Sequence, residues 1–141
     1  MITNSIQNVI STFTKPSRLY ASDGTTLKDF EIGSALGINV SQSVPANGDI
    51  FQLFFMCINN ETKLEIGTHK QSDCGIWDLY INNVLDSSGY DDYAAAGIFI
   101  GREITLTQPI KKGYNIIEMK VNSKNGASTD HRVGIRGASL Q

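Results

Sequence analysis

Proton transfer near neutral pH falls most often to histidine, and this chain has two, His69 and His131. His69 stands in Thr68-His69-Lys70 at the end of an alternating run, and His131 follows Thr129-Asp130 at the start of another. Both are expected to be solvated turn residues. No G-x-S-x-G elbow, glycine-rich phosphate loop, H-E-x-x-H pair or EF-hand loop occurs, so no catalytic residue is assigned and an enzyme is not expected.

Cys57 and Cys74 are too few for a disulfide framework and lack zinc-knuckle spacing. They are expected to be reduced, buried small hydrophobes.

The densest polar chemistry lies between residues 80 and 93. Asp86, Asp91 and Asp92 supply hard oxygens of the kind Ca²⁺ takes, but their spacing matches no calcium loop, and Asp also populates turns by bonding nearby amides. No metal and no other cofactor is therefore assigned. Tyr80, Tyr90 and Tyr93 surround the same acids. Aromatic faces can stack on sugar rings while Asp side chains accept hydroxyl hydrogens, so these six residues form a candidate glycan-binding loop. The competing account is that the tyrosines cap the rim of the fold with their hydroxyls in water.

Positioning such groups requires a scaffold, and the period of the apolar residues shows which kind. Ile2, Ile6, Val9, Ile10 and Phe13 recur at helical intervals before Lys15-Pro16, which suggests a short amphipathic helix or arm over residues 1–17 serving in docking or oligomerisation. From Arg18 onward the period is that of strands, punctuated by Gly, Asn, Asp and Ser. The expected strands are 27–32, 37–44, 50–58, 62–69, 75–84, 97–100, 103–109, 115–122 and 132–140. Trp77, Leu79 and Ile81 should face the core, as should Ile117, Met119 and Val121. Pro109 confines its strand to a sheet edge or a strand end. Strand 50–58 is apolar on both faces and should be covered twice, by the opposing sheet plus a loop or by a neighbouring subunit. About eight or nine short strands at this spacing imply an all-β antiparallel sandwich or barrel over residues 18–141.

Composition narrows the function. The net charge is −2 and no Lys/Arg cluster is present, which argues against nucleic-acid binding. No apolar run approaches the roughly 20 residues of a membrane span, so membrane insertion is not expected. Residues 1–13 lack a basic n-region and a continuous apolar h-region, so synthesis in a cytoplasm without a signal peptide is expected.

Three stretches carry a resemblance: Gly75-Ile76-Trp77-Asp78-Leu79-Tyr80-Ile81-Asn82-Asn83-Val84, then Tyr90-Asp91-Asp92-Tyr93, then Gly113 to Val121 leading into Lys124-Asn125-Gly126-Ala127-Ser128. Together they resemble a jelly-roll β-sandwich module common in phage structural proteins, of a type similar to C1q/TNF-like and carbohydrate-binding-module sandwiches. Asn83 stands where the pattern often has Gly, a replacement that tolerates positive φ. The resemblance implies a virion component, such as a capsid decoration, head fibre or tail fibre. Implied with it are a homo-oligomer, a trimer by analogy, and capsid or tail proteins of the same virion as partners. The alternative is a carbohydrate-binding module or lectin that recognises host surface glycans.

Overall fold

The computed structural model describes residues 18–33 and 39–141. Expectations for residues 1–17, including docking through Ile2, Ile6, Val9, Ile10 and Phe13, lie outside the described residues.

Ten strands are found among the described residues: β1 (Arg18–Tyr20), β2 (Phe30–Gly33), β3 (Asn39–Gln42), β4 (Ile50–Cys57), β5 (Glu61–Lys70), β6 (Gly75–Ile81), β7 (Val84–Asp91), β8 (Ile98–Ile110), β9 (Gly113–Lys124) and β10 (Gly134–Leu140). They form two five-stranded sheets, β1-β4-β9-β6-β7 and β2-β3-β10-β5-β8, in which neighbouring strands run antiparallel. This is the expected all-β sandwich.

The two-residue pleat decides which side chains meet between the sheets. Phe51, Leu53, Phe55, Trp77, Leu79, Ile81, Ile117, Met119 and Val121 descend from the first sheet. Leu64, Ile66, Ile104, Leu106, Ile135, Ala138 and Leu140 rise from the second. At about 25 cal/mol per Å² of apolar surface, this shared interior is the main favourable term in folding. Pro109 lies near the end of β8, an edge strand, where its missing N–H breaks no ladder.

The β6–β7 connection is a two-residue turn. Asn82 and Asn83 both take left-handed backbone, φ 48° and 69°, which asparagine tolerates better than other side chains and which a type I′ hairpin demands. The Asn82 side chain also accepts from the Ile116 N–H at 2.8 Å and donates to Asn115 Oδ1 at 3.0 Å, tying the turn to β9.

Four expectations need correcting. Residues 85–91, expected as a loop, belong to strand β7, paired with β6, and Val84 starts that strand instead of ending the one before it. Stretches 97–100 and 103–109 are one strand, because Gly101 continues the ladder opposite Gly67 instead of breaking it. Arg18–Tyr20 adds a short edge strand beside β4. Within the described residues one face of β4 is covered and no loop supplies the second cover: Phe51, Leu53, Phe55 and Cys57 are buried, whereas Met56 is 61% exposed and the neighbouring Ile58 51%. Among the described residues, no second layer covers that outer face.

Candidate functional site

The buried polar residues gather first around Asp92. Its carboxylate receives the Trp77 indole N–H at 2.8 Å and lies 2.6 Å from Arg102 Nη1. Arg102 also donates to Thr68 Oγ1 at 2.7 Å and to the Asp91 carbonyl at 3.1 Å. Its guanidinium sits 5.7 Å from the ring centroids of both Trp77 and Tyr90. Burial pushes the Asp92 carboxyl above the ordinary carboxylate value, and Arg102, Trp77 and Thr68 each oppose that shift. The cluster locks β5, β6 and β8 together around a fully buried carboxylate.

The six residues expected to hold a glycan are therefore not brought together. Asp92 is fully buried, and Tyr90 is drawn partly inward, where it stacks on Trp77 at 4.5 Å and shares a hydrogen bond with Ser87. Asp91 accepts from the Tyr93 N–H and the Asn125 amide. Asp86 accepts from the backbone N–H groups of Thr107 and Gln108, each at 2.7 Å, and so ties β7 to β8 across the sandwich edge. Tyr93 is half-buried beside Gln71, to which it is bridged through the backbone. Of the six, Tyr80 alone looks out from the face of the first sheet.

Asp86, Asp91 and Asp92 each spend carboxylate oxygens on hydrogen bonds within the fold, and no group of three or more His, Cys, Asp or Glu converges among the described residues.

The histidines depart from expectation as well. His69 lies within β5, buried, with its ring 5.2 Å from that of Phe99. His131 is half-buried, its Nδ1 lying 3.8 Å from an Asp130 carboxylate oxygen. Burial lowers the His69 imidazole below its ordinary value of 6.5. The unfolded chain therefore takes up a proton before the folded chain does, and stability should fall as the pH drops below about 6.5 toward the lowered folded value. Urea unfolding from pH 7.5 to 5 should show that decline, and His69→Gln should flatten it; an equal decline in the variant would assign the effect to other groups.

Cys57 and Cys74 are free and buried. Burial drives the Cys74 thiol up to about 12, so it is protonated and inert as a nucleophile at neutral pH.

An open polar surface is found instead on the outer face of the first sheet. There a groove of about 440 Å³ is floored by Asp78 and Tyr80 from β6 and by Lys120, Val121 and Asn122 from β9. Its wall comes from two connections, through Ser22 and through Asn47-Gly48. The second connection is held by paired backbone bonds, Gly48 N–H to the Val121 carbonyl and Val121 N–H to the Asp49 carbonyl, both 2.8 Å. The Lys28–Asp49 ion pair at 2.7 Å, with Asp49 buried, anchors it further. Gly48 adopts φ +85°, and a Cβ there would lie 2.5 Å from Ser22 Cβ, so glycine lets the two wall segments meet.

Farther along the same face the floor becomes aromatic and apolar. Ile50 pairs with Lys120, Gln52 with Glu118, Phe54 with Ile116 and Met56 with Tyr114 across the β4–β9 ladder. The Phe54 and Tyr114 rings stack at 5.5 Å with an interplanar angle of 18°, and Tyr114 is 59% exposed. Tyr80 pairs with Glu118 across β6–β9, linking groove and platform. Sequence reasoning singled out Tyr80 but not Phe54, Tyr114, Lys120 or the Ser22 and Asn47-Gly48 wall. The one available signal was the apolar outer face of β4.

No family model and no curated protein matches this chain. Solved structures do match. The CBM36-1 domain of a multidomain xylanase from the hindgut metagenome of Trinervitermes trinervoides is 13% identical, with a TM-score of 0.60 over 87% of this chain and 94% of that one. The fold is a jelly-roll β-sandwich like that module's. A family 6 carbohydrate-binding module from Clostridium cellulolyticum, solved with xylose, is 11% identical, with a TM-score of 0.61 over 90% of this chain and 92% of that one. A Paenibacillus xanthan lyase is 16% identical with a TM-score of 0.59, but this chain, matched over 90% of its residues, spans only 12% of that enzyme.

Proposed function

We propose that this chain is a carbohydrate-binding module that holds its ligand on the outer face of the first sheet. The observation that carries the proposal is that an open polar groove and a stacked aromatic pair, with Tyr114 exposed, share the outer face of one sheet. Sugars are amphipathic, with C–H faces that lie against aromatic rings and hydroxyls that need donors and acceptors. Phe54 and Tyr114 supply the ring surface; Tyr80, Lys120 and Asn122 supply the polar groups. Because strands present them, little ordering entropy is lost on binding.

The likeness to modules solved with xylose, or with calcium and xylotriose, supports this reading. A role without catalysis fits the histidines, which lie outside the groove. An exposed place on a phage particle, with capsid or tail partners, is the second reading. Its support is the uncovered apolar outer face of β4, and a trimeric mass in solution would favour it.

A glycan array tests the main proposal. Wild-type protein should bind a restricted set of oligosaccharides, and Tyr114→Ala and Tyr80→Ala should each weaken that binding about tenfold, equivalent to about 1.4 kcal/mol. Both side chains lie outside the core, so melting temperatures should change little. An array with no bound glycan, or binding untouched by both substitutions, would overturn the assignment.

A further inference from the structure

Resting on that reading, we infer that the ligand carries an anionic group, a carboxylate or a sulfate, seated on Lys120. Asp78 lies directly opposite Lys120 in the β6–β9 ladder, where an ion pair would ordinarily form. None does. The two oxygens of the buried Asp78 carboxylate are turned to the Gly89 N–H at 3.0 Å and to the Asn122 amide at 2.9 Å. Glu118, one pleat along on the same face, accepts from Gln52 at 3.2 Å, and Asp49 behind the wall is held by Lys28.

Every acid around the groove thus has a partner within the fold, while the ammonium of Lys120, a half-buried residue, has none among the described residues. The Tyr80 and Ser22 hydroxyls and the Asn47 amide add donors that the fold leaves unused on the same groove. An unpartnered ammonium that shares a groove with neutral donors is complementary to an oxyanion, and charge-assisted hydrogen bonds are stronger than neutral ones. The volume of about 440 Å³ and the open mouth admit a substituted sugar ring without rearrangement.

Titration calorimetry with two matched pairs of oligosaccharides tests this: oligogalacturonate against its carboxyl-reduced form, and a sulfated galactan oligosaccharide against its desulfated form. The charged member of at least one pair should bind about tenfold or more tightly than its neutral partner. The preference should shrink as salt rises, vanish in Lys120→Met and survive in Lys120→Arg. Which pair shows it identifies the anion. Melting curves confirm that the variants fold, since Lys120 lies on the sheet surface. Equal binding of both members, unchanged in Lys120→Met but lost in Tyr80→Ala, overturns the charge inference and leaves the carbohydrate reading standing. Binding of none of the four overturns the inference too, and the carbohydrate reading then falls only if the array is also blank.

Discussion

Replacing Trp77 with alanine should lower the unfolding free energy by about 3–5 kcal/mol, the range for truncating a fully buried aromatic side chain. Trp77 has no exposed surface, and three separate losses follow from its removal. The cavity left between the sheets forfeits dispersion contacts. The Tyr90 ring loses its stacking partner at 4.5 Å. The buried Asp92 carboxylate loses the indole donor at 2.8 Å and keeps only Arg102 and Thr68. Thermal unfolding should shift downward by roughly 10 °C or more. Trp77→Phe separates the parts, because it restores much of the volume without the donor and should recover part of the loss. A cost below about 1 kcal/mol for the alanine variant would mean that Trp77 does not organise the interior.

The second large effect concerns Arg102. Arg102→Met keeps an apolar stem but strands Asp92 as a buried, unpaired carboxylate, and breaking such a pair typically costs about 3–5 kcal/mol. The Arg102 side chain retains some solvent access, 16%, so the lower end of that range is expected. Two controls make the mechanism specific. In an Asp92→Asn background the same substitution should cost much less, since no charge is left behind. Burial already raises the folded-state Asp92 carboxyl, and loss of the guanidinium raises it further. Stability that depends on a protonated Asp92 is present at acid pH and lost as pH rises through the folded value, so the Arg102→Met penalty should be smallest in acid and grow toward neutrality. A penalty independent of pH and of Asp92 would assign Arg102 a packing role alone.

These two residues also show where sequence alone stops being informative. Alternation made β6 and β9 readable, because one face of each is continuous apolar side chain and the pleat admits one solution. Strand β7 hid behind Asp86, Ser87, Ser88 and Gly89, which are turn formers by local propensity. As an edge strand it packs lightly, and register irregularities with β6 blur its period. Asp92 looked like its acidic neighbours. Only the tertiary arrangement, with Trp77, Thr68 and Arg102 arriving from three other strands, separates a structural carboxylate from a solvated one.

The groove was invisible for a related reason. Its members are spread from Ser22 to Asn122 and meet only through cross-strand register and the close approach of Ser22 to Gly48. Lys120 reads in sequence as an ordinary wet residue of an amphipathic strand. Its unspent charge follows from where the Asp78 oxygens point, which no spacing rule encodes.

The groove's construction divides recognition between two kinds of backbone. Its floor belongs to β6 and β9, whose opposite faces form the interior, so a shift in either strand would disturb the whole protein. Its rim belongs to two surface connections pinned at Asp49 and Gly48, with Ser22 and Asn47 exposed. On the carbohydrate reading, substitutions at the exposed rim residues Ser22 and Asn47 can redirect which molecule is accepted while the load of folding stays with the floor and with Gly48, whose left-handed backbone and contact with Ser22 forbid a side chain.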